Sequence, residues 1–132
     1  MIPDYLVIGH VTQDVLPDGS LRAGGTATYA ALTAQRLGLR VGVLTSAEPT
    51  LSLFPNEPSI CIVCRPAKRT TTFQNVYADG CRRQYIRAVA DPLSLAELPE
   101  HWRKASIVHL GPVANEVDDE LVAAFPGSLL GV

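Results

Sequence analysis

The residues best suited to chemistry cluster near the N-terminus. Asp14 shortly precedes the stretch LRAGGTATYAAL, which holds the pair Gly24-Gly25, then Thr26 and Tyr29. A carboxylate only accepts hydrogen bonds and can take two from neighbouring hydroxyls. Glycine has no Cβ, so its backbone can approach a ligand closely. The same residues also have an architectural reading. Asp14 could cap the turn at 17–20, and paired glycines could turn the chain and let a helix sit close to a sheet. Residue types alone leave both readings open.

Other reactive side chains point to structure. Cys61 and Cys64 form a CxxC within SICIVCR, an alternating apolar stretch that reads as a strand. Positions three apart on a strand face opposite sides, so the two sulfurs diverge. With no second CxxC, zinc is not indicated, and Cys61, Cys64 and Cys81 are expected to be buried structural thiols in a reducing compartment. His10 follows a strand and His109 lies inside one; both are expected to be core or rim histidines, and His101 a surface one. No metal site is expected. Among the arginines of RRQYIR, Arg83 and Arg87 share one strand face and Arg82 points to the other, giving either solvated charges or a site for an anion.

Composition bounds the rest. The chain has 132 residues, 47% hydrophobic and 18% charged, with a net charge of −2. This suits one globular domain with a real core and excludes a polynucleotide-binding basic face. No apolar run is long enough to span a membrane. The N-terminus MIPDYLVIGH lacks the basic start and long apolar stretch of a secretory signal, so a cytoplasmic location is expected.

The elements that would position Asp14 and the glycines follow from periodicity. Residues 5–8 are a short buried strand closed by Gly9. VTQDV and the arm beginning Leu21-Arg22 form a hairpin around Pro-Asp-Gly-Ser. Ala27, Ala30, Ala31, Ala34 and Leu37 recur at helical spacing, with Gly38 as the stop and LRVGVLT as the next strand: a βαβ unit on a parallel sheet. TTTFQNVY and RRQYIR flank Asp79-Gly80 as a second hairpin. Short helical turns are expected in LSLAELP and PEHWRKA, with Trp102 anchoring the latter to the core. SIVHLGPV is a strand, and 115–125 is expected to be a helix capped by Asn115. SLLGV begins a further strand, so more chain or a covering partner is expected at that edge.

In this order, the segments resemble the N-terminal half of the ribokinase (PfkB) family of carbohydrate kinases, with an inositol-kinase-like flavour. GHVTQDVLPDG and GGTATYAALTAQRLGLRVGVLTS are similar to that family's first signature region, and RTTTFQNVYADGCRRQYI to its lid hairpin. The resemblance covers essentially all of residues 1–132. It implies an α/β fold: an incomplete three-layer α/β/α core with a small β-sheet lid, the lid strands lying within about 11–23 and 70–88. It further implies that Asp14 bonds substrate hydroxyls, that the backbone of Gly24 and Gly25 and the side chain of Thr26 approach the substrate, and that ATP and Mg²⁺ serve the full-length enzyme.

Two departures from the family pattern bear on function. Tyr29 stands where ribokinases often carry an asparagine, which makes the pocket differently shaped; Phe73, Gln74, Asn75 and Tyr85 of the lid are expected to shape it further. The glycine-rich anion hole GAGD, whose aspartate is the catalytic base, is absent. The expectation is therefore the sugar- or polyol-binding part of an ATP-dependent kinase, a phosphotransferase with an alcohol acceptor. By that resemblance the chain is expected to carry no catalytic base and to be inactive alone. The alternative is a non-catalytic binding module that forms a homodimer through the lid. A nucleotide-binding Rossmann domain is disfavoured, because GHVTQD lacks the required glycine spacing.

Overall fold

A computed structural model describes residues 1–132. Two sheets share the chain. The larger is parallel and built from β1 (Tyr5–Ile8), β4 (Val41–Ala47), β5 (Cys61–Pro66), β8 (Ile107–Leu110) and β9 (Leu129–Gly131), in the spatial order β5-β4-β1-β8-β9. The smaller contains β2 (Thr12–Val15), β3 (Leu21–Gly24), β6 (Thr72–Ala78) and β7 (Cys81–Ala88), in the order β3-β2-β6-β7. Its two hairpins are antiparallel and joined by a parallel β2–β6 pair.

Alternation along β1 divides the core. Leu6 and Ile8 join Leu44, Val108, Leu110 and Trp102 on one side of the large sheet. Val7 points to the other side, toward Val41, Val43 and the helix α1 (Gly25–Arg36). The helix presents Ala27, Ala31 and Ala34, all buried, and these small side chains let its axis lie close to the strands. Trp102 is buried in the opposite layer, in the middle of a short 3₁₀ helix (Glu100–Lys104).

Two expectations need correction. The segment 115–125 is helical only as α2 (Asp119–Val122), capped by Asp118, which accepts from the Glu120 amide at 3.1 Å. Asn115 takes φ +58°, Val117 bridges to Leu93 in parallel, and the Leu93 amide donates to the Glu116 carbonyl. The first turn is thus spent on a long-range extended contact. The three cysteines are exposed and unpaired rather than buried. Cys61 and Cys64 sit on β5, an edge strand of the large sheet, and Cys81 begins β7, an edge strand of the small one.

No helix is long and apolar enough to cross a membrane.

Candidate functional site

The strand order reverses at β1: the chain leaves it toward β4 on one side and later returns to β8 on the other. In parallel α/β sheets such a reversal opens a crevice at the carboxyl ends of the strands. Here the two ends meet tightly. The Gly111 amide donates to the Ile8 carbonyl at 2.8 Å, and a Cβ on Gly9 would stand 2.3 Å from the Gly111 carbonyl oxygen. The β2–β3 hairpin rises from this point, and β6 and β7 extend the sheet over it.

Between the small sheet and the core lies an open cleft of about 940 Å³. Asp14, Gly25, Thr26 and Tyr29 all line it. Gly24 is the N-cap of α1 and stands behind Asp14: a Cβ there would lie 2.4 Å from Asp14 Oδ2. Gly25 has φ +84°, the left-handed region, and its missing Cβ would meet the His10 carbonyl oxygen at 2.9 Å. The first glycine makes room for the carboxylate; the second permits the backbone turn into the helix. Thr28 Oγ1 donates to the Gly24 carbonyl at 2.6 Å, closing that turn.

Asp14 does not cap the hairpin turn. That role falls to Asp18, whose Oδ1 accepts from the Ser20 hydroxyl and from the Ser20 amide at 2.9 Å; these bonds hold the Asp18 carboxyl below its ordinary range. The one side-chain partner of Asp14 is the Thr12 hydroxyl, donating at 3.3 Å. Most of the carboxylate's accepting capacity is left facing the cleft.

Thr12, Asn75, Arg82 and Gln84 also line the cleft. Register explains the lid residues: Phe73 pairs with Ile86, Asn75 with Gln84 and Tyr77 with Arg82, so this face of the hairpin looks inward. Gln74 and Tyr85, expected in the pocket, lie on the other face. Arg87 donates to Gln74 Oε1 at 2.7 and 3.0 Å and stacks its guanidinium 4.8 Å from the Tyr85 ring centre. Strict alternation along TTTFQNVY already separates Phe73 and Asn75 from Gln74. Arg82 was legible as pointing opposite to Arg83 and Arg87, without a sign of which side held the cleft. Asn75 Oδ1 is buried and has no hydrogen-bond partner.

In the same cleft the Tyr5 hydroxyl and His109 Nδ1 share a hydrogen bond at 2.6 Å, and partial burial pushes the Tyr5 phenol up. His10 is fully buried and His101 is exposed. No group of three or more His, Cys, Asp or Glu side chains is arranged to hold a metal ion.

No family profile matches the chain, and no curated protein matches it in sequence. Solved structures do match. A pyrophosphate-dependent kinase in the ribokinase family, complexed with a pyrophosphate analog and myo-inositol, superposes with a TM-score of 0.72 at 26% identity over 90% of this chain. The fold is ribokinase-like. The sulfate complex of a pyrophosphate-dependent kinase in the same family gives 0.73 at 26% identity. Ribokinase from Arabidopsis thaliana, complexed with ribose and ATP, gives 0.62 at 16% identity over 98% of this chain. The chain spans 44%, 45% and 53% of those three chains, respectively. The ribokinase-like likeness thus joins the parallel sheet and the small lid in one architecture.

Proposed function

We propose that this chain is the acceptor-binding part of a kinase that phosphorylates a hydroxyl of a sugar or polyol, and that it represents the N-terminal portion of such an enzyme. The observation that carries this reading is the placement of Asp14. Its carboxylate faces a cleft walled by α1 on one side and by the lid on the other, with a glycine behind it in place of a side chain. A polyol entering there would donate vicinal hydroxyls to Asp14 and a further hydroxyl to Asn75 Oδ1. Arg82 and Gln84 would donate to its oxygens from the lid. Tyr29, 55% exposed beside the cleft, offers an apolar ring face for the C–H side of a cyclic polyol.

Phosphoryl transfer needs a positioned acceptor, a base beside it and neutralised phosphate charge. The chain's own residues supply the first: they bind and orient the acceptor, and the lid excludes water from it. ATP, with Mg²⁺, is the proposed donor for the complete enzyme. The similarity to pyrophosphate-dependent kinases makes pyrophosphate the competing donor to test. With no GAGD segment, the chain by itself should transfer no phosphate from either.

The test is thermal unfolding with myo-inositol, ribose, hexoses and nucleosides, with and without ATP or pyrophosphate. At least one polyol should raise Tm, since a ligand bound only by the folded state stabilises it. Absence of any shift would remove the proposal.

A second reading is favoured by one observation. β7 is an edge strand, and Tyr77, Tyr85 and Ile86 on the lid are exposed. Such an edge can pair with a second copy. A dimer that forms with rising concentration, combined with no polyol response, would favour this binding module.

A further inference from the structure

The lid joins the core through four chain crossings: before β2, after β3, before β6 and after β7. All four meet at one buried side chain or its backbone. His10 Nδ1 lies 2.7 Å from Thr71 Oγ1, just before β6. Its Nε2 lies 2.7 Å from the Asp91 carbonyl oxygen, just after β7. Thr71 Oγ1 also accepts from the Ala90 amide at 2.9 Å, and the Thr71 carbonyl accepts from the Gln13 amide at 2.9 Å. The fourth crossing is Gly25, whose absent Cβ leaves room for the His10 carbonyl. From the core side, Glu116 Oε2 accepts from the His10 amide at 2.8 Å. Its Oε1 accepts from the amides of Val113 and Ala114, and Val113 lines the cleft.

We infer that His10, acting with Thr71, is the positioning residue that locks the lid's two long strands to the core and so fixes the height of the lid over the cleft. It does so whichever ligand the cleft takes. The Asp91 carbonyl can only accept, so Nε2 carries a proton. Thr71 Oγ1 accepts from the Ala90 amide and still has a lone pair and its own proton for the bond to Nδ1. Glu116 Oε2 stands 3.6 Å from Nδ1. Neither a tyrosine nor a methionine could bridge both crossings in this way. Imidazole has two in-plane polar atoms on opposite sides of the ring, and the fold uses both.

The experiment uses the chain as it stands. In a Cys64→Ser background, spin labels on the exposed Cys61 of the core edge and Cys81 of the lid report the distribution of lid-to-core distances. Amide exchange at Gln13 and Ala90 reports the hinge bonds. His10→Ala and Thr71→Val should each widen the distance distribution at least twofold and speed exchange at these two amides at least tenfold. Amides of β1, β4 and β8 should keep their wild-type rates, and Thr71→Ser, which keeps the hydroxyl, should behave as wild type. Nitrogen NMR of the wild-type ring should show Nε2 protonated. An unchanged lid distribution, a loss of protection shared equally by both sheets, or a ring without a proton on Nε2 would overturn the inference. The proton on Nε2 and the Thr71 pair decide the matter even if His10→Ala does not fold. Because none of these readouts involves a polyol, their failure is distinguishable from failure of the kinase reading.

Discussion

Asp14 and the two glycines divide one job, and substitution should separate their parts. At Gly24 the backbone is extended (φ −153°), a conformation alanine adopts freely, but a Cβ would press on Asp14 Oδ2 at 2.4 Å. Gly24→Ala should therefore turn the carboxylate and weaken polyol binding roughly tenfold or more, the worth of one hydrogen bond to a charged group, while stability changes little. At Gly25 the order reverses. With φ +84° and a backbone oxygen 2.9 Å from the new Cβ, Gly25→Ala should lower unfolding free energy by about 1–2 kcal/mol or more. Urea unfolding and ligand-induced Tm shifts on the two variants check both statements; equal effects on both readouts would contradict them. At this scale residue type left a ligand role and an architectural role open for Asp14 and the glycines; the structure places Asp14, Gly25, Thr26 and Tyr29 around one cleft and gives the turn cap to Asp18. The sequence was not legible for Gln74 and Tyr85, because which face of a hairpin looks inward is set by the element beneath it.

Elements read from local period were recovered, and those decided by distant partners were not. The βαβ unit of β1, α1 and β4 rests on helical spacing and a Gly38 stop, signals carried within a few residues. The short α2 was misread because Leu93, far along the chain, claims residues 116–117 in an extended bridge. The cysteines were misread for the same kind of reason: alternation identifies a strand, but only the sheet order makes β5 an edge. One ion pair belongs to this scale. Arg40, entering β4, donates to both carboxylate oxygens of Asp4, entering β1, at 2.7 and 3.0 Å, and its amide donates as well. These bonds hold the Asp4 carboxyl down to about 2 from its ordinary 3.8. A carboxyl with a depressed folded pKa contributes stability that is complete above about 4 and lost as pH falls toward about 2. Asp4→Asn should flatten the part of the acid-unfolding curve in that window and leave its slope near neutrality unchanged. A wild-type slope persisting between pH 4 and 2 in that variant would contradict the assignment.

At the scale of the whole molecule, the proposed function places the acceptor between the core, with its helix α1, and the lid sheet. The core gives Gly25, Thr26 and Tyr29, the lid gives Asn75, Arg82 and Gln84, and Asp14 sits where they join. The ribokinase-like likeness covers nearly all of this chain but less than half of the pyrophosphate-dependent kinases it matches. The most direct measurement is an amide NMR titration of the chain with myo-inositol and with ribose. One of them should shift the amides of Gly25 and Thr26 together with those of Asn75 and Gln84, along a single binding isotherm that Asp14→Asn abolishes. Shifts confined to one sheet, or a titration indifferent to Asp14→Asn, would contradict the account.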